Sequence, residues 1–185
     1  MKRLKKPIAI ATWKHGYKGT LKAEEILNNN GSSLDAVEFG INVTENDPEV
    51  RTVGYGGFTD QDGNVTLDAC IMDHLGNAGS VVYLKDIKNP ISVARKVMEK
   101  SDHVMFAGRG AQKFALKHGF KKENILFKQS KEDWIAWKDQ VRRVSPIASA
   151  HGSTAKDQVR APRRAHAPTR GQTPAIRPRA KLLSG

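Results

Sequence analysis

The chain has 185 residues, enough for one domain with a real core, and its formal net charge of +12 is unevenly spread. Residues 141–185 carry ten Lys or Arg against the single acid Asp157, while the rest of the chain is nearly balanced. No apolar run approaches the roughly 20 residues of a membrane-spanning helix, and Cys70, the only cysteine, excludes an intrachain disulfide.

At the start, Lys2, Arg3, Lys5 and Lys6 look like the basic end of a signal peptide. The apolar run that follows, Ile8 to Thr12, is shorter than the roughly 7–15 residues an h-region needs. The expectation is a solvated start without a signal peptide, which favours the cytoplasm. Ile8 to Thr12 predicts a short buried strand. Trp13, His15 and Tyr17 then fall in a Gly-containing loop, with His15 read as solvated.

Thr20 to Asn30 predicts a helix stopped by Asn28-Asn29-Asn30-Gly31. Ser32 is the N-cap of the next helix, with Asp35 three residues on. Leu34, Val37, Ile41 and Thr44 recur at helical spacing and predict a core-facing stripe. Asp47-Pro48 ends that helix. Glu38, Glu45, Asp47 and Glu49 are spread around the helical wheel and read as a solvated face, not a metal cluster.

Gly54, Gly56 and Gly57 form a constrained loop. No Gly-Lys-Ser/Thr follows, so phosphate binding is disfavoured. Asp62-Gly63 marks a tight turn. Val65, Leu67 and Ala69 alternate with Thr66, Asp68 and Cys70, the period of a strand with two unlike faces. Cys70 is expected to pack as a small apolar side chain. Leu75-Gly76-Asn77 turns into another strand, Ala78 to Leu84. Asp68 should satisfy backbone donors, and Asp73 should start the turn.

Pro90 opens a third helix at its first position, with Ile91, Ala94, Val97 and Met98 apolar and Arg95, Lys96, Glu99 and Lys100 wet. His103 to Ala107 predicts a strand, and Gly108-Arg109-Gly110-Ala111 turns into a fourth helix with Phe114, Ala115 and Phe120 inward. A dinucleotide fingerprint would need glycine where Lys113 stands. Trp134 and Trp137 should share one face of a final helix and close the domain. Beyond Trp137 there is no aromatic residue, and five of the eight prolines follow Val144. We therefore divide the chain into a folded part, 1–140, and a basic tail, 141–185, with the composition of a disordered segment or of a shifted reading frame.

Val53-Gly54-Tyr55-Gly56-Gly57, the Asp62-Gly63 turn and Thr66-Leu67-Asp68-Ala69-Cys70-Ile71-Met72-Asp73 together resemble the glycosylasparaginase and isoaspartyl peptidase-type asparaginase family. So do Ala11-Thr12-Trp13, Gly31 to Glu38 and Lys88 to Glu99. Their order and spacing extend the resemblance over about residues 8–137. The fold class is α/β (α+β), and the resemblance implies half of a four-layer αββα sandwich of the N-terminal-nucleophile hydrolase type. It also implies hydrolysis of the side-chain amide of asparagine derivatives, without cofactor or metal. The nucleophile would be a threonine exposed by self-cleavage and activated by its own α-amine.

In the family, the Trp after the first strand lines the substrate pocket, so Trp13 is the expected substrate-binding residue. The catalytic residue is unknown. Thr154 in His151-Gly152-Ser153-Thr154 is the nearest candidate, but Ala-Lys-Asp-Gln-Val-Arg follows it, not an apolar strand. The expectation is a truncated chain that lacks the nucleophile half and is inactive alone. Its partners would be a small asparagine derivative and a separate β chain or further copies of itself. The alternative is a non-catalytic protein whose basic tail contacts nucleic acid non-specifically.

Overall fold

The computed structural model describes residues 7–144; the tail from residue 145 onward, including Thr154, lies outside the described residues. The described residues form helix α1 (Gly16–Asn28), α2 (Ser33–Glu45), strand β1 (Leu67–Met72), β2 (Ala78–Leu84), α3 (Pro90–Lys100), β3 (Met105–Ala107), α4 (Gly108–Lys117) and α5 (Lys128–Val144). The three strands make one sheet in the order β1-β2-β3, with β1 antiparallel and β3 parallel to β2.

The turn chemistry works as the residue types dictate. Asn30 takes φ 61°, and Gly31 N–H donates to the Ile26 carbonyl at 2.8 Å, ending α1. The Ser32 hydroxyl accepts from Asp35 N–H at 3.0 Å and opens α2. Asp73 accepts from the Leu75 and Asn77 amides, both at 2.9 Å, and closes the β1–β2 turn. Pro90 is at the start of α3, where its missing N–H costs nothing.

The main core lies between the sheet and helices α3 and α4. Val81, Leu84, Ile87, Ile91, Val93, Ala94, Val97, Ala111 and Ala115 are almost fully buried there, with Phe106, Phe114 and Phe120 packed against them. Gly79 lets α3 approach the sheet, because a Cβ there would overlap the Ala94 carbonyl and sit 2.5 Å from Met98 N. A smaller cluster of Val65, Leu67 and Ile125 supports Tyr55 and Leu126.

Strand β1 puts Leu67, Ala69 and Ile71 toward this core and leaves Asp68, Cys70 and Met72 exposed. Cys70 is therefore not a packed apolar residue, as its sequence context predicted: it falls on the strand's uncovered side. A bulge interrupts the β1–β2 ladder between Leu67 and Ala69. At the bulge Tyr83 has φ 54°, and its N–H donates to Asp68 Oδ1 at 2.7 Å in place of a ladder partner. The reading of Asp68 as an acceptor for backbone donors holds.

Four other expectations fail for identifiable reasons. Ile8 to Thr12 is in no strand, and Ile8 and Ile10 are 66% and 89% exposed. An apolar run becomes a buried strand only when a neighbour supplies ladder bonds, and none of the described strands pairs with it. Helix α1 begins at Gly16, a turn earlier than Thr20. On α2, Val37 and Ile41 are exposed at 48% and 38%, while Ala36, Glu38, Gly40 and Glu45 are the buried positions. Gly19 and Gly40 explain the difference, since each helix meets the other's glycine backbone where a Cβ would be only 2.8 Å from the facing carbonyl.

The fourth concerns charge. Glu38 and Glu45 are 9% and 3% exposed, not solvated. Arg95, expected on the wet face of α3, draws Glu38 inward. Its guanidinium bonds Asp35 and Glu38 on α2 at 2.6 Å each and Glu99 on α3 at 2.7 Å. Burial works to lower the Arg95 pKa, yet bonds from Glu99, Asp35 and Glu38 hold it above its ordinary value. Bonds from the Ser32 hydroxyl and from Arg95 hold the Asp35 carboxyl below the usual range.

Helix α5 braces the glycine loop. Ser130 is 2% exposed, and its hydroxyl donates to the Gly56 carbonyl at 2.7 Å. Arg51 pairs with Asp133, and the Trp134 indole N–H donates to the Gln61 carbonyl at 3.1 Å. Trp137 does not share this role, being 41% exposed. The boundary drawn at residue 140 from composition falls inside α5.

Candidate functional site

A cavity of about 670 Å³ opens among the described residues. Its walls are the segment 8–11, the facing sides of α1 and α2, the glycine loop at Thr52–Gly54, and the exposed edge of β1. The start of α3 and Glu45 form another part of it. Much of the lining is apolar, from Ile8, Ile10, Leu27, Val37 and Ile41, and polar side chains such as His15, Thr44, Glu45, Thr52, Asp68 and Cys70 interrupt it. An apolar container with a few placed polar groups is the usual form of a small-molecule site.

The failed predictions for α2 and for residues 8–12 now have a common origin. The apolar side chains expected in a core instead face this cavity. The tight α1–α2 approach at Gly19 and Gly40 turns the Val37 and Ile41 side of α2 toward it.

Trp13, the expected substrate-binding residue, stands beside the cavity but not in its lining. It is 81% exposed and has φ 69°, a left-handed conformation that is uncommon for a bulky side chain. Such strain collects at functional sites. Its indole stacks against the His15 ring, with centroids 6.5 Å apart and planes 5° from parallel. His15 lines the cavity where Trp13 does not. Sequence reasoning missed His15 because an isolated histidine in a loop has no visible partner; its place two residues from Trp13 was the available signal.

No cavity-lining hydroxyl or thiol among the described residues is hydrogen-bonded to a histidine or carboxylate, the pairing that activates a nucleophile. Nor do the described residues contain a group of three His, Cys, Asp or Glu side chains placed to hold a metal ion. The described cavity is a set of walls with a deep carboxyl at one end.

That carboxyl is Glu45. Its Oε1 accepts from Ile91 N–H at 3.0 Å, and its Oε2 accepts from Asn89 Nδ2 at 3.1 Å. Asn89, the N-cap residue of α3, gives that helix no side-chain cap, so Glu45 caps it from a different helix. The Glu45 carbonyl also accepts from Tyr55 N–H at 2.7 Å, which ties the glycine loop to the end of α2. Burial pushes the Glu45 carboxyl up to about 7, against the bonds from Asn89 and Ile91, and the nearby Glu38 adds to the rise.

The folded chain therefore binds this proton more tightly than the unfolded chain. The stability so gained is fully present below pH 4.5 and is lost as pH climbs to about 7. The loss should be about 3 kcal/mol. Urea unfolding at pH 5 and at pH 8 measures it, and Glu45→Gln should abolish the difference. The carboxyls held below their usual range, such as those of Asp35, Asp47 and Asp73, act only in more acid solution.

Comparison with known proteins bears on what the walls enclose. The family model described as Asparaginase matches residues 8–171, a span that continues past the motifs quoted above and includes Thr154. The chain is 54% identical over 136 residues to an N(4)-(beta-N-acetylglucosaminyl)-L-asparaginase of Elizabethkingia miricola, covering 74% of this chain and 40% of that protein. It is 39% identical over 152 residues to a plant-type L-asparaginase of Pyrococcus horikoshii, covering 72% and 50%. To the mouse N(4)-(beta-N-acetylglucosaminyl)-L-asparaginase it is 41% identical over 134 residues, covering 70% and 38%. The chain thus spans half or less of the length of these relatives.

Proposed function

We propose, since this chain belongs to the asparaginase family, that it is the α-type portion of an amidohydrolase acting on the side-chain amide of asparagine derivatives. In this reading it supplies the wall of a substrate site and lacks a working nucleophile. The observation that carries the reading is the cavity: about 670 Å³, walled by α1, α2, the glycine loop and the open side of β1, with no base-paired hydroxyl or thiol in its described lining. A β-type segment, such as the greater length of the relatives can provide, would bring the second sheet of an αββα sandwich over the uncovered face. It would also bring the reactive threonine.

Trp13 in this reading is the aromatic rim of the substrate site. Its backbone is held at φ 69°, the kind of strain that collects at functional sites. Substrate would be held by shape and by a small number of polar groups, with no cofactor.

Purified full-length chain should release no aspartate from a glycosylated asparagine or an asparagine anilide. Its mass should remain that of the uncut 185-residue polypeptide. Turnover, or cleavage ahead of Thr154 seen by mass spectrometry, would show that the chain carries its own nucleophile and would overturn the proposal.

A further inference from the structure

We infer that Glu45 and Asn89 form a proton-operated switch at the joint where α2, the glycine loop and the first turn of α3 meet. Three contacts define it. Asn89 Nδ2 donates at once to Glu45 Oε2 at 3.1 Å and to Asn46 Oδ1 at 3.2 Å. Ile91 N–H donates to Glu45 Oε1 at 3.0 Å. Glu45 itself is 3% exposed.

This arrangement belongs to the ionised carboxylate, which can only accept. Asn89 must then present its NH₂ edge, and that edge also reaches Asn46, the C-cap of α2. When a proton from solvent binds Oε2, the carboxyl gains an O–H that needs an acceptor. The Asn89 side-chain oxygen takes that place by a half-turn of the amide that now bonds Oε2. That half-turn takes NH₂ away from the Asn46 side-chain oxygen and breaks the side-chain link from α3 to the C-cap residue of α2. Ile91 N–H keeps its bond to Oε1 in both states, so α3 remains capped while the link to α2 changes. Asn46 leads directly into the Asp47–Val50 turn and the glycine loop, so the change is delivered to the wall of the cavity.

Burial first, and then the charged surroundings, let the switch work near neutral pH. Glu38 faces Glu45 along α2 and opposes its ionisation. Arg95 on α3 is the nearby cation, and its guanidinium is already shared among Asp35, Glu38 and Glu99. On the α1 side, Lys18 is taken by Asp47 at 2.6 Å. Just ahead of α3, Lys88 Nζ sits 5.2 Å from the centroid of the Tyr55 ring on the glycine loop. No cation bonds the Glu45 carboxylate among the described residues. The inference is independent of the asparaginase reading, because it concerns the joint and not the reaction.

The test is a pH titration of the full-length chain by NMR, from about pH 5 to about pH 9. It would follow the Glu45 side-chain carboxyl carbon, the Asn89 side-chain amide and the Ile91 backbone amide. The carboxyl carbon and the Asn89 amide should move together with one midpoint near 7, and the Asn89 change should vanish in Glu45→Gln. An Asn89 amide that stays still while Glu45 titrates, or that moves equally in Glu45→Gln, would overturn the switch. If that variant does not fold, the wild-type midpoints decide: separate midpoints for the carboxyl and the amide refute the coupling.

Discussion

Gly54→Ala should cost the fold a large part of its stability. Gly54 has φ 62°, where an L side chain costs about 1–2 kcal/mol. The steric clash costs more. A Cβ at this position would overlap the Glu45 carbonyl oxygen and Cα and lie 2.7 Å from its carbonyl carbon. These are backbone atoms, held by the Tyr55 N–H bond to the same carbonyl, so no rotamer change relieves the clash. Overpacking of this kind typically costs about 1–3 kcal/mol and more where the neighbour cannot move.

Backbone strain and clash together amount to about 4 kcal/mol or more, a large part of the roughly 5–15 kcal/mol that holds a domain together. Urea unfolding followed by circular dichroism measures the loss. Gly76→Ala is the control: its φ is 88° but nothing lies within 4 Å of the added Cβ. It should suffer the backbone strain alone. Equal losses at the two positions would refute the steric account.

Arg95→Ala is the second large expected loss, about 3–5 kcal/mol. The guanidinium is the shared partner of Asp35, Glu38 and Glu99, and Glu38 is 9% exposed. Removing the cation leaves a buried carboxylate without its countercharge, which costs more than the pair itself contributed. It also separates α2 from α3, and with them the Glu45 cap. Glu38→Gln introduced into Arg95→Ala should recover part of the loss, because the stranded charge is then gone. A double variant no more stable than Arg95→Ala would place the damage elsewhere.

Much of the local architecture was legible because it depends on neighbours in sequence. Ser32 with Asp35, Asn30 with Gly31, Pro90, and Asp73 with Asn77 each act within a few residues, and each fixed an element end. What was not legible depends on distant partners. Glu45 reads as a surface acid in its helix, and only the amide of Ile91 and the side chain of Asn89, more than forty residues away, make it a buried cap. Residues 8–12 have the composition of a strand, but composition does not supply a neighbour. The apolar stripe of α2 had the right period. Whether it faced a core or a cavity was decided by the glycine contact with α1, which no periodicity reports.

The candidate site was half legible. The glycine loop was legible from its turn chemistry, while Trp13, named from the family resemblance, lies outside the cavity lining. His15 and Cys70 became visible only as cavity lining once the chain was folded, since the side of a loop or strand that stays uncovered depends on what packs elsewhere.

The uncovered side of the sheet has a further consequence. Met72 and Met105 are 67% and 54% exposed, and Ile10, at 89%, adds to the same apolar character. Water wets such a surface poorly, and a neighbouring molecule of the same kind offers the nearest escape. A chain left with this flank bare is prone to stick to its own kind while its core stays intact.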